Sequence, residues 1–279
     1  MSSVMNGLDR RGGLTASDIY ACPSCKGKLV AAVSALHCLP CDRTYPVRGE
    51  IPDFILGDLS QSSNPVLHKA KSIDRLARIY ETKLWYPLVL NLAAGWGRTS
   101  LARLITLVQQ MVGQVRGPVL DVACGPGTFG RPVAAPSRNV FAIDLSQGML
   151  ERGMGYARRE HVTDIHFARA LVEALPFGGG VFHAAICCGS LHLFEDPVLA
   201  LREIGRTLKA GASVAILTFT AGNSGILRFS TILRHANKNG LRVFELRELG
   251  QMLAEAGFEN YQPTTYGSVL AARAFKSER

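Results

Sequence analysis

The sequence predicts an α/β fold, a parallel doubly wound sheet preceded by a small metal-stapled module, and three observations carry that prediction. From residue 118 onward, short apolar runs alternate with segments of helical periodicity, the pattern of a sheet covered by helices on both faces. One run, Val119-Leu-Asp-Val, enters the glycine-rich turn Ala123-Cys-Gly-Pro-Gly127, and the next, Val140-Phe-Ala-Ile-Asp, ends on an acid. Near the N-terminus, Cys22-Pro-Ser-Cys25 and Cys38-Leu-Pro-Cys41 form two C-x-x-C knuckles around a short apolar segment.

Taken in order, residues 1–19 read as a flexible N-terminus without the basic region and apolar core of a secretory signal. Residues 20–56 read as a zinc-binding module. Four thiolates in paired knuckles close a tetrahedral site with no open position, so the zinc is structural. A redox role suits a single C-x-x-C beside a βαβ unit, and disulfides need an oxidising compartment. So short a segment lacks a core of its own, whereas structural zinc supplies on the order of 10 kcal/mol. With four cysteines available, His37 is read as solvated. The polar stretch Gly57-Asp-Leu-Ser-Gln-Ser-Ser-Asn-Pro65 marks a linker. Helices are expected over 66–115, interrupted at Pro87 and around Gly95-Trp-Gly97, with Ile73 to Trp85 apolar at helical spacing.

Beyond that point strands are expected near 118–124, 139–145, 164–169, 181–188, 212–219, 258–265 and 268–275. Helices are expected near 127–135, 147–159, 197–208 and 245–256. Ligands of such sheets bind beyond the carboxyl ends of the strands, where the loops after 124, 145, 171 and 188 converge. Gly125 and Gly127 lack a Cβ and let backbone approach a ligand, while Asp144, about 20 residues on, can accept both hydroxyls of a ribose. Asp121 sits inside the first strand, just before the loop. A carboxylate there repels a pyrophosphate and suits a cofactor with a positive end, such as the amino group and sulfonium of S-adenosylmethionine (SAM).

These residues resemble class I SAM-dependent methyltransferases, especially the group containing ubiquinone and menaquinone C-methyltransferases. The matching words are Asp121-Val-Ala-Cys-Gly-Pro-Gly127, Ala142-Ile-Asp-Leu-Ser146 with Met149, Glu173-Ala-Leu-Pro-Phe177, and Asp196-Pro through Leu201-Arg-Glu-Ile-Gly-Arg-Thr-Leu-Lys-Ala-Gly211. The resemblance covers roughly 118–276. It implies a Rossmann-like seven-stranded sheet with an antiparallel ending, and a cofactor held by Asp121, Ala123, Gly125, Gly127, Asp144, Leu145, Met149, Leu171, Val172 and Cys188. It also implies a helical lid within 57–115, with Tyr80, Trp85 and Tyr86 lining the acceptor pocket, ahead of a SAM-binding domain over 116–279. Residues 20–56, with Thr44-Tyr-Pro-Val-Arg-Gly-Glu-Ile-Pro-Asp-Phe54, resemble the zinc ribbons of small activator proteins paired with tRNA and protein methyltransferases. Ribosomal-RNA guanine methyltransferases also carry a zinc module, but their fourth ligand is typically His where this chain has Cys41.

Three positions depart from the pattern. Ala123 occupies the usual first glycine, Leu171 stands where an aspartate often accepts the adenine amino group, and His183 replaces an acid opening the fourth strand. Adenine is therefore expected against the Val172 backbone and Leu145. After the fourth strand, Cys187-Cys-Gly-Ser-Leu-His-Leu-Phe194 is the expected site of chemistry, with His192 as general base and Glu195 a weaker candidate. Cys187 and Cys188, at an apolar strand end, are expected to be inert packing.

Composition is consistent with this reading. The 279 residues are 47% hydrophobic, without a run of 18 apolar residues, which excludes a predicted membrane span. Seven cysteines fit a reducing compartment, and the chain is read as cytoplasmic. The net charge of +9 is spread along the chain without a dense basic run, unlike most RNA footprints. The segment Gly222 to Gly240 is expected to cover the acceptor through Phe229, Ile232 and Leu233, although its Arg228, Arg234 and Lys238 would also suit an anion. The expected activity is methyl transfer from SAM to a small apolar quinone-, polyketide- or lipid-like acceptor. An RNA methyltransferase docking through the ribbon and a non-catalytic interaction protein are the alternatives.

Overall fold

The computed structural model describes residues 19–55, 85–220 and 242–278. The expected linker, residues 73–84 of the amphipathic segment including Tyr80, and the expected acceptor-covering segment 222–240 lie outside them.

Seven strands form the main sheet: β5 (Val119–Val122), β6 (Val140–Asp144), β7 (Ile165–Arg169), β8 (Phe182–Cys188), β9 (Leu208–Phe219), β10 (Phe258–Tyr266) and β11 (Val269–Lys276). Their order is β10-β11-β9-β8-β5-β6-β7, with β11 antiparallel to both of its neighbours and the pairings from β9 to β7 parallel. From β5 the chain moves outward to β7 and then returns to β8 on the other side of β5, so the switch point lies between β5 and β8. Every residue of β5 is buried, as expected of a central parallel strand covered on both faces. At the far edge β10 is largely exposed, and its polar residues, Pro263 and a register shift between Glu259 and Gln262 make a poor template for further pairing.

Among the described residues five helices flank the sheet: α1 (Trp85–Ala94), α2 (Leu101–Val112), α3 (Gln147–Arg159), α4 (Pro197–Thr207) and α5 (Leu246–Glu255). Their starts are written in side chains. The Ser100, Ser146 and Asp196 side chains accept from the Arg103, Met149 and Leu199 amides, and Glu245 with Glu248 forms a capping box. In α2 the buried Leu104, Val108, Met111 and Val112 form one face, and Ser213 on β9 donates to the Met111 carbonyl. The stretch read as lid thus contains a helix of the sandwich itself. Alternation along β5 and β6 sends Leu120, Val122, Phe141 and Ile143 into a core shared with α4 and α5, and Val119, Val140 and Ala142 into one shared with α1, α2 and α3.

Three expectations need correction. Residues 127–135 form successive turns, not a helix. Pro132 has no N–H to return to Thr128, and glycines at 127 and 130 weaken helical propensity. Pro87 does not break α1, which runs through it from Trp85 to Ala94. Strand β9 begins at Leu208, pairing with Phe182 before a register shift, so the helix before it stops at Thr207.

The N-terminal module is a four-stranded antiparallel sheet, β1 (Val30–Ala31), β2 (Ala35–Cys38), β3 (Arg43–Arg48) and β4 (Ile51–Pro52), in that order. It is not separate from the main sheet. Tyr20 bridges Phe177, and the Ala21 amide donates to the Pro176 carbonyl. Asp53 bridges Arg169 in parallel, and the Phe54 amide donates to the Arg169 carbonyl at 2.8 Å. The module thereby covers the edge left open by β7. Tyr20 packs its ring on Phe54, Phe141 and Phe177, so one apolar core runs from the module into the sheet.

Candidate active site and metal centre

The parallel strands are mostly buried along their length, and burial relaxes at their carboxyl ends. Ala123, Cys124 and Gly125 after β5, Asp144 and Leu145 at the end of β6, Leu171 to Glu173 after β7 and Cys188 with Gly189 after β8 are all half-buried. These are the four loops on which the sequence places a cofactor. Met149 differs, being 2% exposed and packed beneath the start of α3.

The loop after β5 winds through three left-handed residues, Ala123 (φ 49°), Gly125 (φ 55°) and Gly127 (φ 73°). Glycine adopts this conformation freely, whereas Ala123 bears a cost of about 1 kcal/mol. The Gly125 and Ser146 amides each donate to a different oxygen of the Asp144 carboxylate at 2.8 Å, so the glycine turn is clamped onto the acid ending β6. Beyond the turn, the Thr128 hydroxyl accepts from Tyr86 on α1 at 3.3 Å, a contact not anticipated for the candidate pocket-lining tyrosine.

Asp121 lies beneath this loop, 2% exposed, with Oδ2 lacking a hydrogen-bond partner among the described residues. Burial and the nearby Asp144 carboxylate push its pKa up to about 8, against the pull of the Gly130 amide and Arg131. At neutral pH the group is mainly a neutral acid.

His192 lies in a short 3-10 turn after β8, 6% exposed, with its ring edge-on to Phe219 at 5.0 Å. Burial alone lowers its pKa to about 4, leaving a neutral imidazole whose Nδ1 has no partner among the described residues. Glu195 is exposed on the following loop. Burial pushes the Cys187 thiol up to about 12 and Cys188 well above the usual range, which disfavours a nucleophilic thiolate.

The four knuckle cysteines converge, every pair of sulfurs lying within 4.8 Å, with Cys25 to Cys38 at 3.5 Å and Cys22 to Cys41 at 4.0 Å. A tetrahedral zinc with bonds of about 2.3 Å requires sulfurs about 3.8 Å apart, so the donor set fits the ion. Both knuckles turn through a left-handed residue directly after their second cysteine, Lys26 and Asp42. The buried Tyr45 hydroxyl lies 3.2 Å from Cys22 Sγ, placed to donate to a thiolate. His37 stays outside the cluster, 3.0 Å from the Thr44 hydroxyl.

Two residues here escaped the sequence reading. Arg169, at the end of β7, donates from Nε to the Leu145 carbonyl (2.9 Å) and from Nη1 to Asp53 Oδ2 (3.1 Å). An acid between apolar residues in Ile51-Pro-Asp-Phe54 hints at a buried partner, but nothing local identifies one 116 residues away.

A doubly wound sheet with an acid-clamped glycine loop at its switch point defines a nucleotide-type cofactor enzyme, and comparison with known proteins makes that particular. A methyltransferase-domain family model matches residues 119–211. The chain is 32% identical over 193 residues to demethylmenaquinone methyltransferase of Renibacterium salmoninarum, covering 61% of this chain and 79% of that protein. It is 28% identical over 185 residues to the ubiquinone/menaquinone biosynthesis C-methyltransferase UbiE of Pasteurella multocida, covering 57% and 69%. The YcgJ protein of Bacillus subtilis has the same fold, with a TM-score of 0.54 at 17% identity over 63% of this chain and 98% of that one. The chain belongs to the class I SAM-dependent methyltransferases.

Proposed function

We propose that this methyltransferase acts on a small apolar acceptor of quinone-like character, and that residues 20–56 are a zinc ribbon bracing the cofactor side of the sheet. The observation that carries the acceptor reading is the dryness of the expected methyl-transfer end. There His192 is buried against Phe219 and its pKa falls to about 4 through desolvation alone. Such surroundings favour an apolar ring over a phosphate-bearing one. The quinone-directed names of two relatives agree with it. An RNA acceptor finds less support, because two basic groups of the ribbon are engaged internally, Lys26 by Glu203 and Arg48 by Asp53. No helix among the described residues is long and apolar enough to cross a membrane.

SAM, when bound, supplies a methyl group on a sulfonium centre. In the proposed site Asp144 accepts the ribose hydroxyls, the Gly125–Gly127 backbone allows close approach, and Leu145, Leu171 and Val172 enclose the adenine. Ala123 and Cys188 complete the walls, with Met149 packed behind them. Alignment of acceptor and methyl group in a dry pocket supplies about 7–11 kcal/mol of barrier lowering. His192 receives the acceptor's proton. With a pKa of about 4 it is a weak base, already neutral at pH 7, and suits an acceptor whose proton is acidic, such as an enol or phenol. The test is transfer of labelled methyl to a demethylated quinol, with ribosomal and transfer RNA in parallel. His192→Gln is expected to lower kcat about a hundredfold or more without changing the KM for SAM. Labelled RNA with an unlabelled quinol would defeat the acceptor reading.

Asp121 gives this site a pH signature. Its native pKa of about 8 exceeds the ordinary 3.8, so the folded state holds the proton more tightly and stability falls as pH rises between those values. A cation bound above it favours the carboxylate, so affinity for SAM rises with pH up to about 8 and binding at pH 7 expels about one proton. Calorimetry in buffers of different ionisation enthalpy will register that release, and Asp121→Asn will abolish it. Buffer-independent heats in the unsubstituted protein would contradict the role given to Asp121.

A further inference from the structure

We infer that Asp53 of the N-terminal ribbon is a positioning residue for the cofactor, acting through Arg169 on the loop that carries Asp144 and Leu145. The inference rests on the cofactor site proposed above and adds to it a residue from outside the methyltransferase sheet.

The geometry is a two-step relay. Asp53 is 2% exposed, at the end of β4, and its carboxylate is held by three groups. The Ile55 amide donates to Oδ1 at 3.1 Å, Arg169 Nη1 donates to Oδ2 at 3.1 Å, and Arg48 Nε lies 3.6 Å from the same oxygen. Arg169 is itself largely buried and uses its second arm, Nε, on the Leu145 carbonyl at 2.9 Å. Leu145 directly follows Asp144, and Asp144 pairs with Arg169 across the β6–β7 ladder. One guanidinium therefore ties the peptide after the ribose acid to a carboxylate from the ribbon. The planar fork of arginine suits this, because its donors are fixed relative to each other and restraining one arm orients the other. The Ala170 amide also donates to the Asp144 carbonyl at 3.2 Å, which brings the approach to Leu171 and Val172 into the same brace.

A second ribbon contact provides the internal control. Arg158, in the last turn of α3, meets Glu50 of the ribbon at 2.9 Å, with both side chains exposed. If the ribbon served only as ballast on the sheet edge, the two pairs would matter alike for ligand binding. If Asp53 sets loop geometry, only its pair matters.

The experiment is calorimetric titration of S-adenosylhomocysteine into the full-length protein, with melting temperature recorded for each variant. Asp53→Asn and Arg169→Gln are each expected to raise Kd about tenfold, the scale of one lost charge-assisted hydrogen bond. The double variant is expected to be no worse than the weaker-binding single variant, the mark of a shared pathway. Glu50→Gln is expected to bind as the unsubstituted protein does. Should Asp53→Asn fail to fold, Arg169→Lys carries the test, since lysine keeps a charge for Asp53 but cannot serve both partners from a fixed fork; its Kd is expected to rise equally. Folded Asp53 and Arg169 variants with unchanged Kd would overturn the inference and leave the cofactor site intact. An equal loss in Glu50→Gln would overturn it in favour of general bracing. Absence of binding by the unsubstituted protein would instead overturn the cofactor site itself, and this inference with it.

Discussion

Replacing Cys38 with serine, or stripping metal with a strong chelator, is expected to unfold residues 19–55 and lower the thermal midpoint of the whole protein by about 10 °C. Cys22 and Cys38 are fully buried, and the four sulfurs already stand at spacings that match a zinc tetrahedron. Without the ion that interior holds mutually repelling thiolates or unsatisfied thiols, and the small four-stranded sheet has too little apolar area to hold itself. The effect spreads because the ribbon shares its core with the catalytic sheet. Losing Tyr20, Tyr45 and Phe54 bares Phe141 and Phe177 and reopens the β7 edge. Uncovering that much aromatic surface costs about 3–5 kcal/mol, and each kcal/mol moves the midpoint of a domain this size by about 2–4 °C. Scanning calorimetry and metal analysis of protein purified without added metal check both halves. A Cys38→Ser protein that melts normally, or a stable ribbon with far less than one zinc per chain, would remove the metal from the account.

Asp144→Ala is expected to weaken S-adenosylhomocysteine binding by about a hundredfold or more. The carboxylate ends β6, is half-buried, and is held in place by the Gly125 and Ser146 amides. Two charge-assisted bonds to ribose hydroxyls contribute about 1.5–3 kcal/mol each, and every 1.4 kcal/mol is tenfold in Kd. Alanine also frees the glycine turn, since the Gly125 amide loses its acceptor. Asp144→Asn separates the two effects. It keeps one carbonyl oxygen to clamp the turn but gives up the charge and one acceptor, so its Kd is expected to fall between those of the unsubstituted protein and the alanine variant. Calorimetry measures all three, and an alanine variant binding with unchanged Kd would remove Asp144 from the cofactor site.

The seven strands of the main sheet, four of the helices and the loops after the parallel strands were legible because their signals are local. Continuous apolar runs mark β5, β6 and β8, and Ser146 and Asp196-Pro197 announce α3 and α4. The failure at 127–135 is instructive, since apolar spacing after a glycine loop suggested a helix while Pro132 and two glycines removed the bonds and propensity to sustain one. The low basicity of His192 was invisible in the sequence, because it arises from surroundings assembled by Phe219 and the core.

By itself the sequence determined the chemistry available: which acids and glycines stand at strand ends, which cysteines come in pairs, and how strands and helices alternate along the chain. Each depends on neighbours a few residues apart, or on spacing that survives whatever the rest of the chain does. Only the tertiary structure decided that the ribbon caps β7, that Asp53 reaches Leu145 through Arg169, and that burial leaves Asp121 protonated and His192 neutral. These are properties of a shared low-dielectric interior, and no local pattern encodes which distant groups will share it.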